Sequence, residues 1–218
     1  MAQRSTFLVF GATGGTGKHF VAQALQDGHR VRALVRDPAK LGAAQSDPNL
    51  EVHQGSITDA PNLDELVRGA DYVVSMLGDK HAQSVSKIDT AFVKQLVPAM
   101  RQHGVKRFLY QAGGLSKPYN GYTPWSIWVF RTFFISSFRG QHEDNEAVMV
   151  YLATEATDIE WIVHRAGIIG DGPSKGTLQR STTSPSIGVF RDCAEYSHRL
   201  IRESAAIHTS DFSHYVKA

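Results

Sequence analysis

Cysteine is almost missing from this chain of 218 residues. Cys193 stands alone, which excludes an internal disulfide and fits a reducing compartment. No apolar run reaches the roughly 20 residues that a bilayer span needs. The opening Met-Ala-Gln-Arg-Ser-Thr leads towards a strand with no hydrophobic stretch of signal type ahead of it. A cytoplasmic protein is therefore expected, without a membrane partner. Excess charge of one sign is lacking too: Lys and Arg number 23 against 21 Asp and Glu. Bulk electrostatic binding to nucleic acid or anionic lipid is not expected from that balance. The ten histidines are scattered, none at ligand spacing, so no metal is expected. Repeats and low-complexity stretches are absent as well. Apolar residues at 42% and charged residues at 20% are ordinary globular values, enough for one well-buried domain.

What is present is an alternation of short apolar runs and helical stripes. Phe7–Phe10 suits a buried parallel strand. Lys18–Asp27 places Phe20, Val21, Ala24 and Leu25 on one helical face, and Gly28 stops it. Arg30–Val35, Leu50–His53, Tyr72–Leu77, Arg107–Gln111 and Ile159–His164 read as further strands. Pro61–Arg68, Ser84–His103, Glu143–Ala156 and Asp192–Arg202 read as helices between or after them. Pro98 should kink or break the second of these helices. The expected fold class is α/β: a Rossmann-type doubly wound parallel sheet in a single domain. The pattern fails over 113–138, which is rich in aromatics, and a glycine-rich loop is expected from Gly167 through Pro173.

Chemistry concentrates where the first strand meets the first helix. Gly11, Gly14 and Gly17 stand between them with Gly15 alongside. The first permits a tight turn, the middle ones let backbone N–H groups approach a pyrophosphate, and the last lets helix and strand pack closely. The helix amino end adds free donors and a favourable dipole, and Thr13 and Thr16 add hydroxyls. A carboxylate at the end of the second strand would hold the ribose diol of NAD. Arg36 occupies that place, with Lys40 after it. A guanidinium suits the extra phosphate of NADP(H), which a carboxylate would repel. Neighbouring Asp37 precedes Pro38 and is expected to cap its own turn.

Several segments carry a resemblance: Val9-Phe-Gly-Ala-Thr-Gly-Gly-Thr-Gly17, Leu34-Val-Arg-Asp-Pro38, Gly55-Ser-Ile-Thr-Asp59, Val74-Ser-Met-Leu-Gly78, Gly104-Val-Lys-Arg-Phe108 and Gly167-Ile-Ile-Gly-Asp-Gly-Pro173. With these the chain resembles the atypical short-chain dehydrogenases/reductases, and among them the NAD(P)H-binding group of NmrA-like proteins and flavin/biliverdin-IXβ reductases. The likeness implies adenine contacts from Ser56 and Ile57, the former standing where the family usually has Asp. It implies that Met76, Leu77 and Gly78 run under the ribose and diphosphate. It also implies that Gly167, Ile168 and Ile169 close over the nicotinamide.

The Tyr-x-x-x-Lys pair of the main short-chain dehydrogenases is missing, and Ala112 and Gly113 stand where a hydroxyl residue is usual. Tyrosine-assisted carbonyl reduction is not expected. Hydride transfer to a flavin, quinone or conjugated system can proceed without it, because the acceptor delocalises the incoming charge. Gly113 and Gly114 are expected to leave room for such a flat hydride acceptor. Ser116, Tyr119, Tyr122 and His164 are the candidate proton donors. The aromatic segment reads first as a pocket lid and second as a homodimer surface. A non-catalytic NADP(H) sensor of NmrA type and an epimerase or dehydratase are the alternative functions.

Overall fold

A computed structural model of the protein describes residues 4–120, 123, 125–134 and 138–216. Strand β1 (Thr6–Phe10) leads into helix α1 (Gly15–Gln26), and β2 (Arg30–Val35) follows. A 3-10 stretch (Pro38–Ser46) leads to β3 (Leu50–Gln54), α2 (Leu63–Val67) and β4 (Tyr72–Ser75). Next come α3 (Lys80–Val85), α4 (Ile88–Gln102), β5 (Arg107–Gly113), α5 (Trp125–Phe134) and α6 (Arg139–Glu155). The chain continues through β6 (Glu160–Gly170), β7 (Leu178–Ser181), β8 (Ile187–Val189), α7 (Phe190–Leu200) and β9 (Thr209–Tyr215).

The sheet order is β3-β2-β1-β4-β5-β6-β9-β7, with β8 paired to β6. The ladders are parallel except that of β7 with β9. Strand alternation builds two cores from one short run. Leu8 and Phe10 face α2, α4 and α6 with Phe92, Leu96, Phe108 and Leu152. Phe7 and Val9 face α1 and α7 with Phe20, Val21, Tyr196 and Leu200. The sheet is thus covered on both faces, as parallel sheets require. The order reverses between β1 and β4, which opens a crevice at their carboxyl ends.

Three expectations need correcting. The helix expected over 84–103 is interrupted at Ser86 and Lys87, not at Pro98, which lies inside α4. The reason is an outside cap: Asp144 of α6 accepts from the backbone N–H groups of Asp89 and Thr90 at 3.0 Å each. Those donors would otherwise be orphans of the first turn. Val85, an apolar residue within that expected helix, is exposed. Second, the irregular segment contains α5. Third, β6 runs on to Gly170, because β8 pairs alongside Gly167 and Ile168 and satisfies their backbone. Strands β7, β8 and β9 carry too few consecutive apolar residues to stand out by pattern.

Candidate functional site

The crevice is a cleft of about 440 Å³. Its lining brings together Gly11, Thr13 and Gly14 from the first turn, Arg36 and Lys40 beyond β2, Ser56 and Ile57 beyond β3, and Met76, Leu77 and Gly78 beyond β4. These come from four separate stretches of chain, and the switch of strand order is what makes them neighbours. Gly11 adopts φ +80°, and a Cβ there would stand 2.5 Å from the carbonyl oxygen of Met76. A side chain is excluded on both grounds. Gly15 is backed by the Phe190 ring at the start of α7. Thr16 is buried, and Gln111 donates to its hydroxyl at 3.2 Å.

Arg36 is 78% exposed and stands 3.9 Å from the Asp79 carboxylate, a long and solvated pair. Asp37 is turned away from it: its side chain accepts from the N–H of Ala39 at 3.1 Å and starts the 3-10 stretch. Arg32 is a structural residue. It donates to the carbonyls of Leu66 at 2.7 Å and Arg68 at 2.9 Å, closing the end of α2. Ser56 exchanges a hydrogen bond of 2.9 Å with Thr58.

The described proton-donor candidates, Ser116, Tyr119 and His164, do not gather at the cleft. His164 is fully buried below it, with its ring nitrogens 3.0 Å from Ser197 Oγ and 2.9 Å from Ser213 Oγ. Burial pushes its pKa down to about 3, so it is a neutral core group, and a role at the cleft is withdrawn. Ser116 is also fully buried and accepts from Asn145 at 3.2 Å. Tyr119 lies on the exposed surface, and Tyr122 falls outside the described residues. Gly167, Ile168 and Ile169 lie within β6 rather than in a loop. A Cβ on Gly167 would meet the Ser186 carbonyl at 2.8 Å, so packing against β8 requires that glycine. Gly114 likewise leaves no open space. Its Cβ would meet the backbone of Gly167 and Ala166 at 3.0–3.1 Å. Trp125 and Trp128 are exposed and do not line the cleft.

Other residues at the site escaped the sequence reading. Asp89, on the first turn of α4, lines the cleft yet is almost wholly buried. Burial, and then the nearby Asp144 carboxylate, push its pKa up to about 7. His142 of α6 lies beside the end of β5, where a Cβ on Gly113 would stand 3.8 Å from its Nδ1. Both ring nitrogens are buried without hydrogen-bond partners, and burial lowers its pKa to about 4. Phe138 stacks on that ring from four residues earlier. The two stand four residues apart, and that sequence spacing is the local signal of their contact.

Asp27, His29 and His198 converge in space although not in sequence, with ligand atoms within 4.8 Å of one another. Arg202 already supplies a cation there, its guanidinium 2.8 Å from His29 Nε2 and 3.2 Å from His198 Nε2. A guanidinium only donates, so it competes with a metal for the ring nitrogens it faces, and the N–H of Ser5 faces His29 Nδ1 at 3.2 Å.

A parallel sheet with a glycine turn opening into a switch-point crevice defines a dinucleotide-binding protein of Rossmann type. Residues 11–191 match the model of the NAD(P)H-binding family, and the chain belongs to that family. An isoflavone reductase homolog from Zea mays is 36% identical over 122 residues, covering 52% of this chain and 37% of the maize protein. The chain thus matches little more than a third of that relative's length. Two solved structures share the fold. ChuY, an anaerobillin reductase from Escherichia coli O157:H7, superposes with TM-score 0.74 at 19% identity, covering 96% of each chain. A short-chain dehydrogenase/reductase from Veillonella parvula in complex with NADP gives TM-score 0.72 at 16% identity, covering 97% of this chain and 94% of that one. No helix among the described residues is long and apolar enough to cross a membrane.

Proposed function

We propose that the protein is an NADPH-dependent oxidoreductase of the atypical short-chain dehydrogenase group, passing hydride to a planar or conjugated small molecule. The carrying observation is the pairing of the glycine turn with Arg36 and Lys40 on the wall of one cleft. Asp37, the acidic neighbour that could oppose a phosphate, is engaged in its own turn. When bound, reduced nicotinamide supplies the hydride. The chain's part is to hold the diphosphate on the turn, to seat the 2′-phosphate against Arg36, and to exclude water. At the end of β5, His142 and Asn145 are the polar groups beside Gly113. A neutral imidazole there can orient an acceptor by hydrogen bonding, while water supplies the proton. The reductase names of the maize and E. coli relatives support this reading.

A non-catalytic NADP(H) sensor would use the same cleft, and the exposed Trp125 and Trp128 of α5 favour it as the second reading. Loss of nicotinamide absorbance with NADPH against flavins, quinones and conjugated carbonyls separates the two. Turnover with any of them supports the enzyme; tight binding without turnover across the panel supports the sensor. Arg36→Ala is expected to weaken NADPH by about ten- to a hundredfold, the range for a lost charged hydrogen bond, and to leave NADH nearly unchanged. Equal weakening of both nucleotides would remove the case for the phosphate.

A further inference from the structure

Beneath the cleft lies a buried polar network. The Gln83 side-chain amide of α3 donates to Asp89 Oδ2 at 3.0 Å and to Asp144 Oδ2 at 3.2 Å, tying two carboxyl groups together. Tyr110 of β5 places its hydroxyl 3.1 Å from Asp89 Oδ2 and 2.6 Å from Asn145 Oδ1. The two carboxyls differ in their surroundings. Asp144 faces the backbone donors of α4 and the Thr90 hydroxyl at 2.6 Å. Among the described residues the Asp89 side chain has only Gln83 and Tyr110 as partners, both at Oδ2. Its other oxygen, Oδ1, is buried with no hydrogen-bond partner, and the residue lines the cleft. An unpartnered buried oxygen carries a desolvation cost that a bound ligand can remove.

We propose that Asp89, as an uncharged carboxylic acid, donates a hydrogen bond from Oδ1 to an oxygen of the diphosphate–ribose backbone of the bound dinucleotide. This rests on the cleft being the nucleotide site. Oδ2 already accepts from Gln83, and a hydrogen on Oδ1, the oxygen without a partner, is free to meet the ligand. An ionised carboxylate at this place would face an anionic ligand and could only accept; the acid form donates and adds no charge. The ionisable groups packed on Asp89 are Asp144 from α6, Tyr110 from β5 and Asp79 ahead of α3. Both acidic neighbours favour the protonated form. Asp89 is a positioning residue for the nucleotide.

The test is a binding titration at pH about 6 and about 8.5, on either side of the Asp89 transition. NADH is the probe, because it lacks the 2′-phosphate, whose own titration falls in this range. The wild-type protein is expected to bind NADH roughly tenfold more weakly at the higher pH. Asp89→Asn places an amide donor at the Oδ1 position and an acceptor at Oδ2, so it should bind as the wild type does at low pH and lose most of the pH dependence. Asp89→Leu should bind about fivefold more weakly even at low pH, with its circular dichroism unchanged. Wild-type affinity equal at the two pH values overturns the proposal. So does an Asp89→Asn variant that keeps the full pH dependence, or an Asp89→Leu variant that binds like the wild type. If the wild type binds neither NADH nor NADPH, the nucleotide reading falls and this one with it.

Discussion

Gly17→Ala should weaken nicotinamide nucleotide binding by at least about a hundredfold, or roughly 3 kcal/mol. A Cβ at this position would stand 2.0 Å from the carbonyl oxygen of Gly11, 2.8 Å from its carbonyl carbon and 3.0 Å from Ala12 Cα. All three are backbone atoms, so no flexible side chain can yield, and the turn itself must open. Opening it moves the amino end of α1 away from β1 and swings the N–H groups off the phosphate position. Gly170→Ala is the matched control, because a Cβ there meets nothing within 4 Å. Calorimetry of both variants with NADPH checks the pair. Wild-type affinity in Gly17→Ala would mean that the turn does not hold the diphosphate.

The second large effect is acid lability. Burial holds His164 at a pKa of about 3, and His142 and His198 at about 4. All three have a reference value of 6.5. Between about pH 5 and 6 the unfolded chain therefore binds close to three more protons at these sites than the folded one. Asp89 works in the opposite sense: its folded pKa of about 7 lies above the reference 3.8, so in this window the folded state holds one proton that the unfolded state has lost. Three less one leaves about two. Stability should accordingly rise with pH by roughly 2.5 kcal/mol per unit across that window and fall as steeply on acidification. Urea unfolding at a series of pH values measures this slope. His164→Asn should lower it by about one proton, near 1.4 kcal/mol per unit, while leaving NADPH affinity intact. A slope unchanged by that substitution would place the titration elsewhere.

Much of the scaffold was legible because parallel strands buried on both faces are short apolar runs, as in β1, β4 and the middle of β5, although the edge strand β3 is mixed and only partly buried. The glycine turn was legible because its spacing answers a steric demand that only glycine meets, as the contact of Gly11 with Met76 shows. What stayed hidden depended on distant parts of the chain. The start of α4 is set by Asp144, more than fifty residues later, so a continuous helix was the natural local reading and nothing nearby in sequence marked Asp89 as buried. The long β6 follows from pairing with β8, a strand of three residues. His164 looked available because it stands near the end of an expected strand. That strand continues, and two serines from α7 and β9 enclose the ring.

Helix α6 reaches both halves of the proposed site. Through Asp144 it anchors the amino end of α4 and, by way of Gln83, the carboxyl group at the cleft floor. Through His142 and Asn145, within a single turn of Asp144, it presents polar groups beside the end of β5. A redesign that repacks this turn to admit a bulkier acceptor will therefore also disturb the nucleotide's seat, and the two specificities will have to be evolved together.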